Sequence, residues 1–339
     1  MFLKSIYACR NNMEQIGLEL IKTGLSKPEQ VNKNGETSLV LACYNNMEQV
    51  ALELIKTGLS KPEQVDYYGD IALMIACEKK MDKVALELIK TGLSKPKHVN
   101  VNVNEYGYTA LMIACNNKME HVALELIKTG LSKPEHVDND DYTALILACC
   151  YKMEQVALEL IKTGLSKPEQ VDNDGGTAMI FACAKNMEHV ALELIKTGLS
   201  NPEQVNNYGQ TALIWACHNK MAQVALELIK TGLSKPEQVN NIGETALMWA
   251  CHNNMEQVAL ELIKTGLSKP EQVNNIGETA LIEASSSNME HVALELIKTG
   301  LSKPEQVNNG GTTSLMYACM NKMEQVALEL IKTGLAKPE

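Results

Sequence analysis

Residues 243–274 read G-E-T-A-L-M-W-A-C-H-N-N-M-E-Q-V-A-L-E-L-I-K-T-G-L-S-K-P-E-Q-V-N. Glycine at the opening supplies a turn with positive φ, and Thr245 is a good helix N-cap. A short first helix is predicted over Ala246 to Cys251, with Leu247 and Ala250 three apart on one face. Asn253 and Asn254 break it, because asparagine tolerates turn geometry and is expected to cap the next helix. Met255, Val258, Ala259, Leu262 and Ile263 then fall at i, i+3, i+4, i+7 and i+8, a single apolar stripe at helical period. Glu256, Glu261 and Lys264 take the wet side, and Gly266 closes the second helix from the C′ position.

Ser268-Lys269-Pro270-Glu271 fits a capping box, serine followed three residues later by glutamate. Proline is tolerated in a first helical turn. A short extra helical turn is therefore expected there, opened by Ser268 and anchored by a buried Val273.

The same phrase recurs along the whole chain. Pro28, Pro62, Pro96, Pro134, Pro168, Pro202, Pro236, Pro270, Pro304 and Pro338 lie 34 residues apart, except for a gap of 38 between Pro96 and Pro134. Such self-similarity marks a repeat architecture, in which each unit buries its apolar face only against its neighbours. The 339 residues are accordingly expected to form one elongated all-α domain, 1–339, of about ten stacked helix-turn-helix repeats.

This unit resembles the ankyrin repeat, whose hallmark is G-x-T-P-L-H-x-A-A followed by a longer helix ending in L-L-x-x-G. Here Gly243 to Cys251 read G-E-T-A-L-M-W-A-C, and Val258 to Gly266 read V-A-L-E-L-I-K-T-G. The family proline after threonine is Ala or Ser in this chain, and the family histidine is Val, Met or Ile. One extra residue per repeat gives 34 rather than 33. Tetratricopeptide repeats share the 34-residue period, but their W-x-x-L-G-x-x-Y signature is missing and they do not explain G-x-T. The near-identity of L-E-L-I-K-T-G-L-S-K-P-E-Q-V-N across copies is similar to ankyrin repeats of giant viruses of amoebae. The resemblance implies a solenoid that holds a protein partner on its concave face and fingertips.

A net charge of −10 and a pI near 5.3 argue against a nucleic-acid binder, which carries a basic face. No apolar run approaches the roughly 18 residues of a membrane span. The start lacks the apolar core and cleavage site of a secretory leader. Nine of the ten cysteines occupy one equivalent position per repeat, from Cys9 to Cys319, and only Cys150 falls outside that ladder. Stacked helices stand roughly 8–10 Å apart, too far for the Cα spacing of about 7 Å or less that a disulfide needs. Cysteine thus reads as a small apolar packing residue, and reduced thiols point to a cytoplasmic setting.

Differences between repeats carry whatever is specific to this protein. All fourteen aromatics lie before, within or just after the first helix of a repeat. The fifth position counted from the threonine holds Phe181, Trp215 and Trp249 in three successive repeats, with Tyr317 further on. Tyr208, Ile242 and Ile276 add apolar tips in neighbouring turns. Trp and Tyr are enriched among interface hot spots, so these seven residues form the candidate partner-binding patch. The competing reading is that the rings fill a groove between repeats, as Leu41, Ile75, Ile113 and Leu147 do at the same position.

Asp138, Asp140, Asp141, Asp172 and Asp174 form a secondary acidic patch that suits a basic segment or a weakly held cation. Asp also replaces Asn freely in turns, and the D-x-D-G at Asp172 lacks the distal glutamate of a calcium loop. A four-residue insertion, Val101-Asn102-Val103-Asn104, alternates with period 2 and allows a short β-like finger. His218 and His252 are stacked equivalents, but one His per repeat is a poor ligand set, so no metal site and no cofactor are expected.

No phosphate loop, nucleophile elbow or H-E-x-x-H zinc motif is present. The expected role is a non-catalytic protein-interaction scaffold. The alternative is a structural array that self-associates through its C-terminal repeat. Residues 1–34 form an atypical first repeat, with Lys4 and Ser5 for the usual Ala-Leu and Gly17 for Ala. The last repeat has no distinct cap, and Leu328, Leu330 and Ile331 are expected on a surface suited to receive another repeat. Glu283, Ser285, Ser286 and Ser287 interrupt the pattern in the ninth repeat and are expected to bound the aromatic patch.

Overall fold

The computed structural model describes residues 4–94, 107–130 and 132–335. The chain falls into two compact units, 1–170 and 171–339. In the first, helix pairs are α1 (Lys4–Arg10) with α2 (Glu14–Lys22), α3 (Ser38–Tyr44) with α4 (Glu48–Lys56), and α5 (Ala72–Glu78) with α6 (Asp82–Lys90). Then follow α7 (Ala110–Asn116) with α8 (Glu120–Lys128), and α9 (Ala144–Cys150) with α10 (Glu154–Lys162). The second unit begins with α11 (Ala178–Ala184) and α12 (Glu188–Thr197), then α13 (Ala212–His218) and α14 (Ala222–Lys230). It continues with α15 (Ala246–His252), α16 (Glu256–Lys264), α17 (Ala280–Ser286), α18 (Glu290–Lys298), α19 (Ser314–Met320) and α20 (Glu324–Lys332). Among the described residues, isolated β-bridges join Val171 to Thr177 and Val307 to Thr313. The insertion 101–104 lies outside the described residues.

Each repeat folds as its local chemistry dictates. Thr245 caps α15 by accepting a hydrogen bond at Oγ1 from the Met248 amide, 3.3 Å away. The equivalent threonines cap α3, α7, α9, α11, α13, α17 and α19 in the same way. Asn254 turns the chain into α16 in the left-handed region, at φ 56°. Met255, Val258, Ala259 and Leu262 are buried, while Ile263 is half-buried. Within each unit, first helices pack on first helices and second on second, so the stripe of one repeat is covered by the next.

Gly243 shows how closely successive turns approach. Its φ is +84°, and a Cβ there would lie 2.7 Å from the Cα of Asn274 in the following repeat. A side chain is excluded by both backbone conformation and space.

The segment after the second helix differs from expectation. No capping box forms: Lys269 takes φ 46°, and a tight turn is closed by the Gln272 amide donating to the Lys269 carbonyl at 3.1 Å. Ser268 and Pro270 are buried, whereas Val273 is only half-buried. The left-handed lysine turns Ser268 inward, away from the amides it would need to cap.

Eight ladder cysteines are buried, Cys319 is exposed, and no disulfide forms among the described residues. Burial pushes the thiols of Cys43 and Cys115 up to about 12, which keeps them protonated and unreactive. No helix among the described residues is long and apolar enough to cross a membrane.

Candidate functional site

The first helices of the second unit bring four rings into one file. Ring centroids of Trp215 and His218 lie 5.2 Å apart, His218 and Trp249 4.3 Å, and Trp249 and His252 5.4 Å, all edge to face. This geometry is favourable for aromatic pairs. His218 sits between the tryptophans of α13 and α15, and His252 follows Trp249 at the end of the file. Sequence reading noticed their equivalence but not this role. The signal was present, since His at the helix end falls three residues after Trp, one helical turn away.

Phe181, Trp215, Trp249 and Tyr317 are all half-buried, whereas Tyr208, Ile242 and Ile276 are exposed at turn tips. The tips are held by a backbone ladder between turns: the Asn241 amide donates to the Tyr208 carbonyl and the Asn275 amide to the Ile242 carbonyl, both at 3.0 Å. Each turn is closed from inside, as where Asn240 Oδ1 accepts from the amides of Ile242 and Glu244.

The residue between the glycine and the threonine decides what the ring position meets. At Gly176 a Cβ would come within 2.7 Å of the Phe181 ring, so the missing side chain makes room for that ring. Glu244 instead accepts a hydrogen bond at Oε2 from Trp249 Nε1, 3.0 Å away. In the ninth repeat Glu278 stands before Glu283, and two carboxyls meet.

Glu283 does not end the file of rings at solvent. It is 8% exposed, with Oε2 3.0 Å from His252 Nδ1, and so extends the file inward. Burial, then Glu278, then the Glu244 charge push its carboxyl up to about 9. Glu244, Glu278 and Glu283, with Met248, Trp249, His252, Asn274 and Ile276, line a cavity of about 110 Å³. These glutamates were missed as a group, because their convergence depends on residues about 40 positions apart.

The acidic patch needs correction. Asp138 and Asp172 are each only 5% exposed and face inward. Asp138 Oδ1 accepts from the amides of Asp140 and Tyr142, and Asp172 Oδ1 from those of Asp174 and Gly176. They are turn-builders of their respective units, the role Asn240 plays elsewhere. Asp141 and Asp174 are exposed and Asp140 is half-buried. Among the described residues no group of three or more His, Cys, Asp or Glu is arranged to hold a metal ion.

A stack of capped helix pairs with G-x-T turns defines a helical repeat protein. Models of ankyrin repeats match residues 5–98, 87–170, 155–238, 182–272, 223–306 and 247–338, and the chain belongs to the ankyrin repeat family. No curated protein matches it. Among solved structures, it is similar to a chain of the complex of a predatory endopeptidase from Bdellovibrio bacteriovorus with an immunity protein. The two are 27% identical over 57% of this chain and 98% of the other, with a TM-score of 0.44.

Proposed function

We propose that this chain is a non-catalytic protein-interaction scaffold whose second unit holds its partner on the first helices and turns of the repeats from Phe181 to Tyr317. The observation that carries this reading is the file Trp215–His218–Trp249–His252, half-buried at its first three rings, exposed at His252 and flanked by exposed apolar tips at Tyr208, Ile242 and Ile276. Sister repeats place Leu41, Ile75 and Leu147, all buried, and Ile113, half-buried, at the ring position. Packing alone is thus met by aliphatic residues, and the larger rings extend the apolar surface beyond it. Aromatic residues so placed supply contact area at little entropic cost.

The test is affinity capture on the full chain, with bound proteins identified by mass spectrometry and their affinities measured. Tyr208→Ala and Ile242→Ala alter exposed tips, so they should weaken capture while leaving the melting temperature unchanged. Trp249→Ala should cost roughly 2 kcal/mol or more of binding. Captured partners indifferent to all three substitutions would move the site elsewhere.

A further inference from the structure

We infer that the cavity walled by Trp249, Glu244, Glu278 and Glu283 receives the cationic head group of a lysine or arginine side chain presented by the partner; this rests on the scaffold reading above. Size is the first argument. At about 110 Å³ the cavity is well below the roughly 300 Å³ or more of small-molecule pockets. It suits the end of one side chain.

Chemistry is the second. Three carboxyls converge on a space whose remaining walls are Met248, Trp249, His252, Asn274 and Ile276. Among the described residues no lysine or arginine forms an ion pair with Glu244, Glu278 or Glu283. The Trp249 indole is fixed by its bond to Glu244, and an aromatic wall beside carboxylates is an environment that favours a cation over a neutral group.

The third argument is the anomaly of Glu283 itself. Its position is filled by apolar residues elsewhere, including Leu41, Ile75 and Leu147, all buried. A carboxyl there is held by His252 and Glu278 within the chain, but burial opposes its charged form, which no lysine or arginine among the described residues offsets. With the cavity empty, Glu283 keeps its proton at neutral pH, because burial and the neighbouring Glu278 and Glu244 oppose its charge. His252 and Cys251 of α15 also face it. An entering cation reverses that balance, so Glu283 releases its proton and the contact becomes an ion pair.

The experiment uses the full chain with three blocked pentapeptides, Gly-Ser-X-Ser-Gly, where X is arginine, lysine or the neutral arginine isostere citrulline. The readout is the indole N–H resonance of Trp249 during titration. Arginine and lysine peptides should shift it saturably, at least tenfold more tightly than the citrulline peptide and more tightly at pH 8 than at pH 6. Glu283→Gln should abolish the pH dependence and weaken binding at least tenfold. Glu283→Leu, which restores the residue type of sister repeats, should abolish binding while the array stays folded. Equal response to citrulline, or binding that survives both substitutions, overturns the inference. If a captured protein is lost on Tyr208→Ala yet kept on Glu283→Gln, the scaffold reading stands and the cation pocket falls. Basic peptides that bind at Trp249 when no protein is captured would do the reverse.

Discussion

The side-chain amide of Asn253 donates from Nδ2 to the backbone carbonyl of Cys217, 36 residues earlier, at 2.9 Å. It thereby caps the C-terminal end of the preceding repeat's first helix, where carbonyls lack partners within the helix. Asn45, Asn117, Asn219 and Asn321 make the equivalent bond to Cys9, Cys77, Cys183 and Ser285. Asn253→Ala should destabilise the second unit by about 0.5–1.5 kcal/mol, the net worth of one hydrogen bond, since the Cys217 carbonyl keeps its bond from the Lys220 amide. Lys79 occupies the same position in the first unit, and Lys79→Asn should gain about 0.5–1 kcal/mol through a new bond to the Cys43 carbonyl. Urea unfolding measures both, and unchanged midpoints would show that water caps these carbonyls equally well.

Asp141 takes the turn position that glycine holds at Gly35, Gly107, Gly209, Gly243 and Gly277, and adopts φ 63°. An L-residue is strained in that region, although aspartate tolerates it better than most. Asp141→Gly should therefore raise stability by about 0.5–1 kcal/mol. A drop in thermal midpoint would mean that the carboxylate makes a compensating contact.

Ser285 sits fully buried where the neighbouring repeats have cysteine, and its Oγ has no hydrogen-bond partner. Burying an unpaired hydroxyl costs about 1–3 kcal/mol. Ser285→Cys should recover about 1 kcal/mol or more. Amide hydrogen exchange across α17 should be faster than across α15 in the original chain, and should slow in the variant. Equal protection of the two helices before substitution would contradict this account.

Glu283 has a folded-state pKa raised to about 9, against roughly 4.3 in an unfolded chain. Between those values the native state binds the extra proton, so the contribution of this group to stability is complete at low pH and falls as pH rises through the window. Comparing the full chain with Glu283→Gln isolates it from the other carboxylates. The difference in unfolding free energy should swing in favour of the variant from pH 5 to pH 9, and then level off. A difference that does not change with pH would place the carboxyl in contact with water.

Leu328 and Ile331 are exposed on α20, whereas Leu330, expected beside them, is fully buried. Successive helix faces explain the split: Leu330 points into its own pair, and the other two point outward. An apolar patch of this kind favours association. Light scattering over a concentration series should show an average mass that rises with concentration, and Leu328→Glu with Ile331→Glu should abolish the rise. A mass that stays constant for the unsubstituted chain removes the self-associating alternative.

The sequence by itself determined the helix pairs, the threonine caps of the first helices and the period, because each depends on residues within one or two turns of each other. The asparagine expected to cap the second helix does not, and Met255 stands at that N-cap without a side-chain bond. Thr245, Asn254 and Gly266 do locally what their chemistry dictates, and the apolar stripe from Met255 to Leu262 is legible by spacing alone. The candidate aromatic patch was legible only as a set of positions. Only the tertiary structure decided that His218 packs against Trp249, that Asp138 and Asp172 turn inward, and that Glu283 lies buried beside His252. It also decided against the capping box at Ser268, where the left-handed turn at Lys269 prevailed over the local signal. Each of these outcomes, the Ser268 turn apart, depends on burial or on partners from another repeat. The charge state of Glu283 is set by its burial and by Glu278 of its own repeat, together with His252 and Glu244 from the preceding repeat, about 30 or more residues away.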